Sequence, residues 1–201
     1  MDGNGRWAKK NDLSKRDGHE YGIKNCINIC EKLDKLKYKI SEISFYVFST
    51  ENWMRKPSEV KNLFDLIQIF YDDFKLKANE NNLKVRHYGS RKKLSKNLLK
   101  IIDDVTIKTK KNNGTIVNLL FNYGSRQEID EAISKINKIK KPSKNFKKYL
   151  YVPDSHDPDL IIRTGGELRL SNFMLWQSAY AELYFTKVLW PDFKIKNLNL
   201  A

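Results

Sequence analysis

The 201-residue chain predicts a single α/β domain spanning 1–201, with a mainly parallel central sheet flanked by helices. Three observations predict it. Short β-branched or aromatic runs alternate with segments of helical period, the order that covers a parallel sheet on both faces. Polar turns at 2–6, 49–55, 122–126 and 163–171 would collect at one sheet edge, where open α/β folds place ligand groups. No internal repeat or composition break marks a second domain, and this length buries a sizeable core.

Composition narrows the function classes. Aromatic residues make up 12% of the chain, which excludes a disordered protein. Lys and Arg exceed Asp and Glu by 38 to 24, and the net charge of +14 points toward a polyanion. Much of the excess lies in Lys/Asn tracts, KKLSKNLLK (92–100), KTKKNNG (108–114) and KINKIKKPSKNFKK (135–148), which read as solvated faces. No nucleic-acid partner is therefore expected. No run reaches the roughly 18 apolar residues of a membrane span, and no signal peptide is expected.

Met1–Trp7 opens with Asp-Gly-Asn-Gly, dense turn chemistry that admits positive φ and close backbone approach. With Asp2 before it and Arg6 after it, this turn is a candidate diphosphate cradle carrying a metal ligand. Residues 9–18 are expected to form a polar loop bearing Lys15 and Arg16. His19 is expected to start a helix that buries Ile23, Cys26, Ile27, Cys30 and Leu33. The two cysteines lack partners for a closed zinc set and read as core thiols.

Ile43–Phe48 predicts a strand running into the polar segment Ser49 to Trp53. Pro57 starts a helix on which Val60, Leu63, Phe64, Ile67, Phe70, Tyr71 and Phe74 recur at helical spacing. Core packing accounts for most of these groups, and the remainder would wall a hydrophobic tunnel. Asp72-Asp73 and Asp103-Asp104 lack the third aspartate of an Asp-rich metal motif and read as helix surface. A strand at 83–88, a basic helix at about 91–111, a strand at 116–121 and a helix carrying Ile129, Ala132, Ile133 and Ile136 follow. The tract 138–148 is expected to be a mobile surface loop.

Leu160-Ile161-Ile162 reads as a buried strand that breaks at Arg163, Thr164 and Gly165-Gly166. Two glycines let backbone N–H groups approach an anion, and Arg163 and Arg169 each offer a forked pair of donors. Ser171 is expected to cap a helix over Phe173-Met174-Leu175-Trp176, whose N-terminus would add its pull on negative charge. Glu182, ahead of strand-like Leu183-Tyr184-Phe185, is a candidate hard-oxygen ligand for magnesium. The residues by themselves indicate a phosphate or diphosphate site with a divalent cation.

MDGNGRWAKK, Gly18-His19, FSTENWMR, FNYGSRQEI and DLIIRTGGELRLSNFMLWQSAYAELYF together resemble the cis-prenyltransferases, the family of undecaprenyl and dehydrodolichyl diphosphate synthases. The resemblance covers nearly the whole chain. It implies condensation of isopentenyl diphosphate onto an allylic diphosphate such as farnesyl diphosphate, with cis stereochemistry, giving a long-chain polyprenyl diphosphate. It implies Mg2+ as cofactor, with Asp2 and Glu182 as the metal-linked acids. Gly3, Asn4, Gly5, Arg6, Trp7 and His19 match the surroundings of the allylic diphosphate. Lys15 stands where the family has arginine, with Arg16 beside it. Ser49, Glu51, Asn52, Trp53 and Arg55 match the segment that closes over the substrates, and Asp2, His19, Asn52 and Arg55 form the catalytic set. Arg163, Arg169 and Ser171 match the isopentenyl diphosphate site. Ser125 replaces a usual glycine.

The same resemblance implies a homodimer, with an accessory subunit and peripheral membrane association as further expectations. The expected setting is the cytoplasm, or the cytosolic face of the endoplasmic reticulum in a eukaryote. The family's strand before MDGNGRW and helix after WPDF have no counterpart here, so trimmed termini are expected, as is a missing loop near 138–148. Two rival readings are a noncatalytic family-like subunit and a basic nucleic-acid-binding protein.

Overall fold

A computed structural model describes residues 1–201. In chain order the helices are α1 (Asn4–Lys10), α2 (Lys15–Glu31), α3 (Pro57–Glu80), α4 (Lys96–Lys108), α5 (Ser125–Ile136) and α6 (Ile195–Leu198). The strands are β1 (Glu42–Ser49), β2 (Lys84–Tyr88), β3 (Ile116–Tyr123), β4 (Leu160–Arg163) and β5 (Glu182–Phe185). Every strand pair is parallel.

The expected single sheet is in two pieces. One has the order β1-β3-β2 and the other is the β4-β5 pair. The second piece is tied to the body by loops: the Asp2 amide donates to Thr164 Oγ1 at 2.9 Å, and the Trp190 amide donates to the Asp2 carbonyl at 3.0 Å.

Period-two alternation gives the main sheet two faces. Ile43, Phe45, Val85, Val117 and Leu119 pack toward α2 and α3, in a core with Ile29, Cys30, Trp190 and Phe193. Tyr46, Tyr88, Leu120 and Tyr123 lie on the opposite face, against Met174 and Phe173. α2 is anchored by Asn25, whose Nδ2 donates to the carbonyls of Trp190 and Phe193, both at 2.8 Å. Cys30 is buried and Cys26 half-buried, both as free thiols.

Three local expectations are corrected. Asn4-Gly5 is not a turn: Gly3, at φ 110°, ends the entering strand of chain and α1 begins at Asn4. α2 begins at Lys15, four residues before His19, because Ser14 and Asp17 form a capping box that satisfies the first amides. No helix follows Ser171. Ser171, Asn172 and Met174 have φ of 49°, 63° and 43°, and residues 171–180 form successive turns. The reason is competition for backbone partners. The Ser125 amide donates to the Asn172 carbonyl at 2.9 Å, and the Arg126 amide donates to Asn172 Oδ1 at 2.9 Å. Asn172 thus caps α5 in place of starting its own helix.

The tract 138–148 runs along the surface, and its end is held by Tyr149 and Leu150 against Ala132. Asp103 and Asp104 are helix surface as expected. Asp103 pairs with Arg91 through two bonds of 2.8 and 2.9 Å, and Asp104 lies 3.2 Å from Lys75.

Candidate active site

The two glycine-rich motifs meet. Arg163 leaves the end of β4 with 16% of its side chain exposed, and its Nη2 lies 3.0 Å from Asp2 Oδ2. Its Nη1 donates to Ser171 Oγ at 2.7 Å and to the Arg169 carbonyl. Arg6 approaches the same carboxylate, with Nη2 3.4 Å from Asp2 Oδ1, and its Nη1 donates to the Gly165 carbonyl at 2.6 Å. Gly165, at φ 88°, is required there: a Cβ would stand 2.7 Å from Arg6 Nη2. Arg169 pairs with Glu167. Burial raises the pKa of Asp2, but the hydrogen bond and charge of Arg163, the charge of Arg6 and the Gly3 amide outweigh it. The net shift is downward, so Asp2 is an anion at neutral pH.

A second cluster faces the first. Lys15 Nζ lies 3.7 Å from Glu59 Oε2, and Arg55 Nη1 lies 3.0 Å from Glu59 Oε1. His19 sits beside them, its pKa lowered by burial and then by the charge of Arg55, with Lys15 adding to the effect and Glu59 opposing it. Glu59 was missed in the sequence. Its only signal was the Arg55–Glu59 spacing of four residues at the start of α3.

Between these clusters the 3₁₀ turn Thr50–Met54 is held from both ends. The Ser49 amide donates to Asn52 Oδ1 at 3.1 Å, and Asn172 Nδ2 donates to Glu51 Oε1 at 2.7 Å. Trp53 Nε1 donates to Asn122 Oδ1 at 2.8 Å, with its ring edge-on to Phe48 and Phe64.

Most of these groups border a cavity of about 1510 Å³. At its polar end stand Asp2, Gly3, Asn4, Gly5 and Arg6, then Lys15 and His19 from α2. Ser49, Glu51, Asn52 and Arg55 also line it, as do Arg163, Arg169 and Ser171. Away from this mouth two helices give the cavity an apolar wall. α3 supplies Leu63, Ile67, Phe70, Tyr71 and Phe74, one stripe at helical spacing, and α4 supplies Leu98, Ile101, Ile102 and Val105.

Four predicted site residues lie elsewhere. Trp7 is outside the cavity: its ring packs 4.6 Å from Tyr21, and its Nε1 donates to Asp192 Oδ1 at 2.8 Å. Arg16 is exposed on the outer side of α2, so the cation of this pair at the cavity is Lys15. Trp53 packs under the 49–55 turn and does not line the cavity. Glu182 is exposed at the far end of β5, where it pairs with Leu160, three rungs from Arg163. At the rise of a strand that is roughly 10 Å from the level of the Asp2 pair, so within this chain the two acids do not meet.

No three His, Cys, Asp or Glu side chains are placed to hold a metal ion. The donor set still fits magnesium, which is bound by one or two carboxylates together with substrate phosphate oxygens. Asp2 is an ionised carboxylate at the polar mouth.

A mouth bearing Arg6, Lys15, Arg163 and Arg169, opening into a large cavity walled in part by apolar helices on a parallel α/β fold, is the arrangement of a prenyltransferase. Residues 1–201 match the family described as putative undecaprenyl diphosphate synthase. The isoprenyl transferase of Fusobacterium nucleatum is 43% identical over 204 residues, covering 100% of this chain and 87% of that one. The isoprenyl transferase of Thermotoga maritima is 45% identical over 201 residues, covering 96% and 85%. Among solved structures, lavandulyl diphosphate synthase from Lavandula x intermedia, in complex with dimethylallyl diphosphate, superposes with a TM-score of 0.91 at 29% identity, covering 98% of this chain and 89% of that one. A probable undecaprenyl diphosphate synthase from Campylobacter jejuni gives 0.78 at 34% identity, covering 90% and 86%. The chain belongs to the undecaprenyl diphosphate synthase family of prenyltransferases.

Proposed function

We propose that the protein condenses isopentenyl diphosphate onto an allylic diphosphate of the farnesyl class, repeatedly and with cis stereochemistry. The observation that carries this reading is the union of the Asp2–Arg163 mouth with the apolar cavity. Its volume of about 1510 Å³ exceeds the roughly 1,000 Å³ upper range of ordinary small-molecule pockets, as a long product requires. The complete set Asp2, Arg163, Arg169 and Ser171 argues against a noncatalytic subunit.

In the reaction the allylic C1–O bond breaks, the isopentenyl double bond attacks C1, and a proton leaves the new chain. Arg163, Arg169 and Ser171 hold and orient the isopentenyl diphosphate. Arg6 and the N-terminal amides of α1 face the leaving diphosphate and stabilise the charge it gathers, a contribution of several kcal/mol in comparable oxyanion sites. His19 is uncharged at neutral pH and serves as a hydrogen-bonding group. Asp2 would hold magnesium together with substrate phosphate oxygens, and the ion when bound would supply Lewis-acid neutralisation of the leaving group. The elongating tail moves along the α3 stripe, each buried CH₂ favouring entry by about 0.8 kcal/mol.

A second copy of the chain is our reading of the exposed apolar residues of the 168–183 segment, which leads into Glu182. Leu168, Trp176, Tyr180 and Leu183 are 77%, 48%, 100% and 47% exposed, more than scattered surface apolars explain. Tyr180→Asp is expected to convert a dimer to a monomer in sedimentation equilibrium, with the far-UV spectrum unchanged. A variant that stays dimeric removes this reading. No helix is long and apolar enough to cross a membrane. Because its substrates are charged diphosphates and its product carries a long lipid tail, we propose that the enzyme works in the cytoplasm and meets the bilayer when it delivers product.

The deciding experiment incubates the protein with labelled isopentenyl diphosphate, farnesyl diphosphate and Mg2+, then sizes the extracted lipid. A ladder of long polyprenyl products that vanishes with EDTA is expected. Absence of any elongated product overturns the proposal.

A further inference from the structure

A smaller cavity of about 570 Å³ lies at β2, the edge strand of the main sheet. α4 borders it on one side, and α5 with residues 151–152 on the other. It shares a wall with the large cavity at Arg86, His87, Ile102 and Thr106, but no residue of the diphosphate mouth borders it.

Most of its charges are already paired. Arg91 is held by Asp103 in a two-pronged contact of 2.8 and 2.9 Å. Lys92 lies 3.1 Å from Glu131, which also accepts from Gln127 at 3.2 Å. His87 is bonded to the Phe121 carbonyl at 2.9 Å, and burial lowers its pKa, so it carries no charge at neutral pH.

What remains is Arg86, with a buried donor that has no acceptor, beside the Tyr151 hydroxyl and a lysine that no carboxylate neutralises. Arg86 Nη1 is buried and has no hydrogen-bond partner. The Tyr151 hydroxyl is buried beside the Glu131 carboxylate but outside good hydrogen-bond geometry, and burial and that carboxylate keep it protonated. Lys135 Nζ donates to the Tyr149 carbonyl at 2.9 Å and stands 5.8 Å from the Tyr151 ring centre. Its charge meets no carboxylate there. A desolvated guanidinium nitrogen without an acceptor is costly, and a planar fork favours oxyanions with several acceptor oxygens.

We propose that the cavity at the β2 edge is a second oxyanion site, taking a phosphate-class group, with Arg86 as principal donor and Tyr151 and Lys135 completing it. The inference is independent of the catalytic reading, since it uses none of the mouth residues.

The test is an amide-resolved NMR titration with inorganic phosphate, and separately with glycerol 3-phosphate, at constant ionic strength. Saturable shifts at the Gly89 and Tyr151 amides are expected in about the millimolar range. Arg86→Gln is expected to weaken binding at least about tenfold, and Tyr151→Phe about threefold with an unchanged melting temperature. Shifts at Gly165 and Gly166 report the catalytic mouth and stay the same in both variants. Tighter binding of the ester assigns the site to a phosphomonoester or lipid headgroup, and tighter binding of phosphate to the free ion. If Arg86→Gln does not fold, Tyr151→Phe and Lys135→Gln decide. Wild-type shifts confined to Gly165 and Gly166, or an affinity indifferent to these substitutions, overturn the proposal.

Discussion

Arg163 Nη2 lies 3.0 Å from Asp2 Oδ2, a carboxylate and a guanidinium 161 residues apart in the chain. Arg163 also holds Ser171, so one side chain fixes the relative position of both diphosphate-binding motifs. Asp2→Ala is expected to lower kcat at least about 100-fold, some 2.7 kcal/mol, while far-UV circular dichroism stays native. A variant keeping more than about a tenth of the wild-type rate would remove Asp2 from the mechanism.

Arg163→Lys keeps the charge and loses the fork. A single ammonium cannot reach Asp2, Ser171 and a phosphate in the same geometry. The expected loss in kcat/KM for isopentenyl diphosphate is about 10- to 100-fold, or 1.4–2.7 kcal/mol. Steady-state kinetics with varied isopentenyl diphosphate checks it, and a loss confined to the allylic substrate would reassign the residue.

Ile67 sits midway along the cavity stripe of α3. Ile67→Trp fills the path without touching the polar mouth, so products are expected to shorten by at least one isoprene unit while the first condensation keeps its rate. Chain-length analysis decides this, and an unchanged product ladder places the tail on another wall.

Burial lowers the pKa of His19, and the charge of Arg55 adds to that shift. Burial lowers that of His87 against the opposing Phe121 carbonyl. Both folded-state values lie under the unfolded value of about 6.5, so the unfolded chain binds more protons in the interval below it. Stability is therefore held above about pH 6.5 and lost as pH falls toward the folded-state values. Urea midpoints are expected to drop between about pH 7.5 and 5.5, and His19→Gln with His87→Gln to flatten that slope. An equal slope in the double variant refutes the assignment.

A Cβ at Gly18 would lie 2.3 Å from the Asn4 carbonyl oxygen, in the contact between α1 and α2. Gly18→Ala is expected to cost about 1–3 kcal/mol, seen as a lower melting temperature. Gly5 has nothing within 4 Å of the same position, and Gly5→Ala should stabilise α1 by about 0.5–1 kcal/mol. Equal melting temperatures for the two variants would contradict the α1–α2 packing.

The parallel strands were legible because Ile43–Phe48 and Ile116–Phe121 are apolar runs without competing helical period. The α3 stripe was legible because seven large groups repeat at that period. The start of α2 was hidden in a polar segment, although the Ser14-to-Asp17 spacing carried the capping signal. The turns at 171–180 were not legible, because Asn172 bonds to Ser125 and Arg126, partners distant in sequence. Glu59 and Trp7 show the same limit. Their roles come from Lys15 and Tyr21 across a helix interface, which no local pattern encodes.

The anchoring of α2 by Asn25 to the carbonyls of Trp190 and Phe193 bears on how the polypeptide matures at the ribosome. Nascent chain emerges from its N-terminus, so α1 and α2 wait without their docking surface until residue 193 has been translated. Closing so long a loop adds only a logarithmic entropy cost. A copy stalled before that point thus exposes unsealed helices that quality-control proteases can recognise, and catalytic competence arrives only after the segment through Phe193 has been synthesised.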